Sequence, residues 1–351
     1  MLRTLLPAFL AVFLVLAAPA QAPRSNTQPA GETAQTAPTP FETAQSLAAK
    51  GRLAQALAML DALAAQTPEP AGVERLRGMI FYQKDQLGEA AKALAGAVSQ
   101  DATDREAVEM LGVTLYRLGR PQDAIPLLEA ADLAPVKEAN LEPKYVLGLC
   151  YSDVKRYDDA RRAFAAQYGF QPDSPESHLL AARLFLRREL VAEAAGEAGK
   201  ALALNPTLPL AHQLLGEAAL ARGDLPAAIR ELEAERTLNP LNGVLYDRLG
   251  DAYLRNGQWD EARQALDRAV LLEPSATGPY ILLGETFLNL NQPIQALHYL
   301  DRAENMDPSN YITHNLLGKA YKATGQLAEA NREFKTVVDI QRQNNPKPAG
   351  K

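Results

Sequence analysis

The chain has 351 residues, and its 36 Lys and Arg against 42 Asp and Glu give a formal net charge of -6 and a pI near 5.4. That balance opposes sequence-independent nucleic-acid binding, which depends on basic side chains neutralising phosphates. Cys150 is the single cysteine, so no disulfide can close within one chain.

At the amino terminus, Met1-Leu2-Arg3 is a short basic start, Leu5 to Ala18 is almost wholly apolar, and Ala18-Pro19-Ala20 has the small-x-small form of a cleavage site. Residues 1-20 therefore read as a secretory signal peptide. The apolar run is shorter than the roughly 20 residues that cross a bilayer as a helix, and an uncleaved anchor is the alternative reading. No cysteine follows the run, which excludes lipoprotein attachment at this junction. No Asn-x-Ser/Thr acceptor has a permitted middle residue, so the bacterial envelope, periplasmic or secreted, is the expected setting. Residues 21-40 are rich in Pro, Thr, Gln and Ala and carry few large apolar groups, so they are expected to form a flexible linker.

From residue 37 the chain repeats itself every 34 residues. Leu249-Gly250, Tyr253, Gly257, Ala262, Leu266, Ala269 and Pro274 return as Leu283-Gly284, Phe287, Asn291, Ala296, Leu300, Ala303 and Pro308. The repeats fall at 37-70, 71-104, 105-140, 141-174, 175-208, 209-242, 243-276, 277-310 and 311-344, and the third carries two extra residues around Val136 to Asn140. Residues 345-351 form a polar tail. Positions 4, 8 and 11 of each repeat stand at i, i+4 and i+7, positions 20, 24 and 27 repeat that spacing, and each set is one face of an α-helix. Every repeat is thus a helix pair, too short to bury its own apolar faces unless it stacks on its neighbours.

Position 8 is small, as Gly78, Gly112, Gly148, Ala182, Gly216, Gly250, Gly284 and Gly318, and position 20 is alanine from Ala56 to Ala330. Glycine inside a helix costs about 1 kcal/mol relative to alanine, so its recurrence at one depth predicts two closely approaching backbones. Position 24 supplies bulk as Leu60, Leu94, Leu128, Phe164, Leu232, Leu266, Leu300 and Phe334, with Ala198 the exception. Gly51, Gly119, Gly223, Gly257 and Gly325 at position 15 predict a left-handed residue closing the first helix. Pro68, Pro172, Pro206, Pro240, Pro274 and Pro308 at position 32 stop the second.

This pattern resembles the tetratricopeptide repeat over about Ala37 to Asn344. The first repeat is weaker, with Ala44 and Leu47 in place of the Gly and the aromatic, and the last has Arg342 in place of Pro. The resemblance implies an all-α, right-handed superhelical solenoid of about nine helix-turn-helix units, whose first helices line a concave groove through positions 2, 5, 9, 12 and 13. Those positions hold Arg75, Met79, Tyr82 and Gln83; Glu109, Tyr116 and Arg117; Tyr145, Leu149 and Asp153; and Leu179, Arg183, Leu186 and Arg187. The later repeats add Gln213, Glu217 and Leu220; Asp247, Asp251, Leu254 and Arg255; Ile281, Glu285, Leu288 and Asn289; and Asn315, Lys319 and Lys322. Apolar residues among opposite charges suit an extended peptide or a partner helix. Arg183 and Arg187, one helical turn apart, are expected to face Asp247 and Asp251 two repeats on. The family's carboxylate-clamping members carry Lys at position 5 and Asn at position 9; here Asn315 and Lys319 stand in reversed order, which speaks against such a clamp.

Catalytic motifs are missing from the sequence. There is no HExxH, P-loop, GxSxG, or GxGxxG after a strand. His178, His212 and His314 share position 4 on the expected buried face, which assigns them to packing and leaves no metal or cofactor site expected. Cys150 reads as a buried structural thiol. Asp158-Asp159 sits where carboxylates favour a helix N-terminus. The chain is therefore expected to be a non-enzymatic scaffold that binds a protein or peptide in its groove and helps assemble an envelope or secreted complex. Two alternatives stand beside that reading. One is self-association, as a homodimer through the C-terminal repeat, and the other is a substrate-recruiting subunit of an envelope enzyme or polysaccharide-export complex.

Overall fold

The computed structural model describes residues 38-131 and 142-344; the signal-peptide segment, nearly all of the linker, the two-residue insertion and the polar tail lie outside the described residues. The described chain forms helix pairs throughout, and no strand occurs among these residues. The pairs are α1 (Pro40–Ala49) with α2 (Leu53–Ala64), α3 (Val73–Gln83) with α4 (Leu87–Gln100), α5 (Arg105–Arg117) with α6 (Pro121–Ala131), and α7 (Pro143–Asp153) with α8 (Tyr157–Tyr168). They continue as α9 (Pro175–Arg187) with α10 (Val191–Leu204), α11 (Ala211–Arg222) with α12 (Leu225–Leu238), and α13 (Gly243–Arg255) with α14 (Trp259–Leu272). The last are α15 (Thr277–Asn289) with α16 (Pro293–Met306) and α17 (Tyr311–Ala323) with α18 (Leu327–Asn344). The chain divides into two compact bodies at Gly169 and Phe170.

Helix α1 opens inside the stretch read as linker. Thr39 Oγ1 accepts from the Glu42 amide at 3.2 Å while the Thr39 amide donates to Glu42 Oε2 at 2.7 Å, a reciprocal cap that supplies partners for two amides left over at a helix start. At the other end of the described chain, α18 runs on to Asn344 because no proline stands at position 32 to stop it.

Seven of the nine pairs share one close contact. A Cβ placed on Gly78, Gly112, Gly148, Gly216, Gly250, Gly284 or Gly318 would come within 2.3 to 2.7 Å of the position-24 side chain sixteen residues on, closer than two carbons can approach. The leucine or phenylalanine therefore occupies the volume that a side chain at position 8 would need. The position-24 residues from Leu60 to Leu300 are completely or almost completely buried, each contributing about 1.5-3 kcal/mol. Phe334 is only half-buried. In the fifth repeat Ala182 and Ala198 share a buried cluster with Leu214, and Phe185 is fully buried beside them in sequence.

The turn at position 15 is left-handed in all nine repeats, with glycine in five of them. The other four place Asp85, Lys155, Glu189 and Asn291 there, with φ of 59°, 63°, 62° and 56°. The geometry is thus imposed by the helix pair, and glycine is the residue that adopts it without a Cβ clash.

Within each body the first helices touch one another across repeats, α1 to α3 to α5 to α7 in one and α9 to α11 to α13 to α15 to α17 in the other; no comparable contact joins two second helices of the described chain. Each body therefore has one face built from first helices, and this face carries the candidate groove residues.

Candidate functional site

In the N-terminal body this face is tied down by its own ion pairs. Arg75 reaches Asp104 at 3.1 Å and Glu106 at 3.3 Å, joining α3 to the start of α5. Arg117 bonds to Asp85 at 2.6 Å and lies 4.7 Å from the Tyr82 ring centroid, so a cation-π contact covers that ring. Met79 and Tyr116 are half-buried, and Gln83 is exposed. Tyr145 packs on the core ring of Phe164 at 5.6 Å. Asp153 is exposed at the helix turns, lining an open depression with Arg120, Pro121 and Lys155.

The face of the C-terminal body separates paired from unpaired charge. Asp251 lies 3.4 Å from Arg255, and Arg248 stands 3.7 Å from Glu217 and 3.5 Å from Asp247. Asp247 Oδ1 has no hydrogen-bond partner; burial, and then the neighbouring Asp251 and Glu273, hold this carboxyl above its ordinary range although Arg248 opposes them. Arg183 and Arg187, expected to face Asp247 and Asp251, form no ion pair with them. Both arginines are exposed on α9, and no ion pair joins either to any described residue. Between and before them on the same helix, Leu186 and Leu179 pack half-buried against the Ala182, Ala198 and Leu214 cluster. Farther along, Ile281 and Leu288 edge a core cluster, Glu285 and Asn315 are half-buried, and Asn289, Lys319 and Lys322 are exposed.

Five candidate groove residues are corrected by burial. Glu109, Leu149, Gln213, Leu220 and Leu254 are at most 9% exposed and present no side chain to an occupant. Gln213 is a structural connector: its amide nitrogen donates to Glu217 at 2.9 Å and its amide oxygen accepts from Asn242, the α13 cap, at 2.7 Å. Leu220 belongs to a core cluster with Leu232 and Leu249, and Arg255 crosses to its carbonyl at 3.5 Å. At position 12 Leu220 and Leu254 therefore belong to the interior, and Leu220 has Arg255 of the next first helix lying beside it.

The shared-position histidines are buried or half-buried, as packing requires, but each also meets a glutamate nineteen residues later. Nδ1 lies 2.6 Å from Glu197 in His178, 2.9 Å from Glu231 in His212 and 2.7 Å from Glu333 in His314. Reading positions 4 and 23 together would have revealed these pairs in the sequence. Cys150 is fully buried.

Tetratricopeptide repeat profiles match residues 41–105, 77–138, 145–209 and 281–345, and a second profile of the same repeat matches 244–276. The chain belongs to the tetratricopeptide repeat family. This family is generally a protein-interaction fold and not an enzymatic one. Among solved structures, MamA from Desulfovibrio magneticus RS-1 is 21% identical, aligning 49% of this chain with 98% of its own at a TM-score of 0.46. YrrB, described as a TPR protein with an unusual peptide-binding site, is 21% identical over 52% of this chain and 93% of its own, also at 0.46. The Cut9-Hcn1 hetero-tetramer is 16% identical over 80% of this chain and 55% of its own, at 0.44. No curated protein matches the chain. Among the described residues of this repeat protein, no helix is long and apolar enough to cross a membrane.

Proposed function

We propose that this tetratricopeptide repeat protein is an exported, non-enzymatic scaffold that holds a protein or peptide against its first-helix face and organises a complex of the bacterial envelope. The signal-like residues 1-20 support the export. One observation on α9 carries the binding reading: Arg183 and Arg187 stand exposed and without an ion pair beside half-buried Leu179 and Leu186, whereas Asp247 and Asp251 have arginines of their own. Guanidinium groups take carboxylates in paired hydrogen bonds, so the complementary occupant is a segment with acidic side chains flanking an apolar anchor.

A photo-crosslinking residue at Tyr116 or Leu186 in the native envelope, followed by identification of the captured protein, tests this. The Arg183→Glu/Arg187→Glu variant is expected to keep its helical circular-dichroism spectrum and melting temperature while capture from Leu186 falls at least about tenfold, a loss of about 1.4 kcal/mol. Unchanged capture by the charge-reversed chain would reject the α9 assignment. A partner confined to the cytoplasm would reject the export reading.

A second reading, self-association through the last repeat, is supported by the exposure of Leu327 and Val338 on α18. Light scattering across a wide concentration range separates the two readings, since a strict monomer rules out the dimer.

A further inference from the structure

The three position-4 histidines form an internal comparison. His178 with Glu197 and His212 with Glu231 each have a cation completing the cluster: Lys200 Nζ is 2.7 Å from Glu197, and Arg230 is 2.9 Å from Glu231. His314 with Glu333 has a second carboxylate in that role, Glu304 on α16, 3.8 Å from Nδ1. Position 28 of the preceding repeat supplies that glutamate; the repeats preceding His178 and His212 have Tyr168 and Leu202 there. The last repeat alone of the three therefore sets two carboxylates against one imidazole nitrogen.

The protonation of that ring follows from its other contact. His314 Nε2 is 2.9 Å from the Pro308 carbonyl oxygen, which can only accept, so Nε2 carries hydrogen. The lone pair of Nδ1 is thereby aimed between Glu333 and Glu304, a position that only a proton or a metal ion fills. Ligating histidines characteristically donate their second ring N–H to a backbone carbonyl or carboxylate, and Pro308 is such a partner already in place.

We propose that Glu304, His314 and Glu333 bind one divalent first-row transition-metal ion, zinc by preference, which fastens α16, α17 and α18 to one another across the last repeat boundary. One ligand atom from each of the three lies within 4.8 Å of the other two. Zinc bonds of about 2.0-2.2 Å in a tetrahedron put ligand atoms about 3.3 Å apart, and the observed 2.7 and 3.8 Å from Nδ1 straddle that value. One imidazole with two carboxylates suits zinc, whereas magnesium and calcium take oxygen ligands throughout. His314 and Glu333 are sheltered, at 5% and 18% side-chain exposure, while Glu304 at 38% forms the rim through which an ion enters. Asp301 adds further negative potential beside Glu333, and its carboxyl is held above its ordinary range by burial and by that neighbour. The ion takes the place of the proton between Nδ1 and Glu333, which leaves to solvent, and water completes the coordination.

The test is calorimetric titration of the chelator-stripped full chain with zinc chloride alone, paired with thermal unfolding. The expected result is one saturable zinc per chain and a raised melting temperature. Glu304→Leu restores the side chain found at Leu202 and keeps the His314 and Glu333 pair, so it should fold as before and bind zinc at least about tenfold more weakly. His178→Asn, remote from the cluster in the chain, should bind as the parent does. Absence of saturable binding by the parent chain, or equal affinity in Glu304→Leu, would overturn the site. Neither result bears on the first-helix face of α9, so the metal and the partner stand or fall separately.

Discussion

At position 15, geometry and residue type part company. The helix pair demands a left-handed residue there in every repeat, and the chain meets the demand with glycine five times and with side chains at Asp85, Lys155, Glu189 and Asn291. A left-handed residue bearing a Cβ costs roughly 1–2 kcal/mol. The Glu189 side chain is exposed and makes no hydrogen bond or ion pair with any described residue, and its amide bond to the Leu186 carbonyl is one that glycine keeps, so replacing the side chain discards no contact of that kind. Glu189→Gly is expected to stabilise the chain by about 0.5–1 kcal/mol, part of the gain being returned through the greater freedom of glycine when unfolded. A urea midpoint that is unchanged or lower would show that the turn is not strained.

The helix pair is the element from which everything else is made, and its lock is a glycine facing a leucine. Gly250→Ala should cost about 1-3 kcal/mol, because its Cβ would stand 2.3 Å from Leu266 Cγ. Leu266→Ala, which opens a cavity, should cost about 2-5 kcal/mol. The double variant recreates the Ala182 and Ala198 pairing, and its loss should fall short of the sum by at least about 0.5 kcal/mol in denaturant titrations. Strict additivity would mean that the two residues do not share one space. The close approach was legible in the sequence because a costly residue at a fixed depth asks for a packing cause, whereas the facing of position 8 by position 24 of the same repeat was not read from it. The left-handed turn was legible only where glycine marked it; at Glu189 and Lys155 the pair enforces the conformation against the side chain's preference.

For the molecule as a whole, the period of 34 residues made the helix pairing and the shared sides of the first helices readable, since periodicity reports which residues share a side of a helix. It did not report which of those side chains remain accessible. Leu220 and Leu254 occupy the same position as Leu186 and Leu288, yet they are buried while the other two are half-exposed. At Leu220 the neighbouring repeat adds Arg255, which crosses to the leucine's carbonyl. The same limit hid the histidine partners, because a site assembled from two helices is invisible when each position is read down its own column.

The glycine and leucine contact also closes inside one repeat, between residues sixteen apart, although the far side of the leucine packs on the next repeat, as Leu266 does in one cluster with Leu283. Each repeat thus carries its own finished joint. Duplication or excision of a whole repeat leaves every remaining joint as it was and disturbs only the two stacking surfaces at the splice. The first-helix face of a body can in this way be lengthened or shortened by copying genetic modules, while the residues exposed on it diverge without constraint from the joint that holds them.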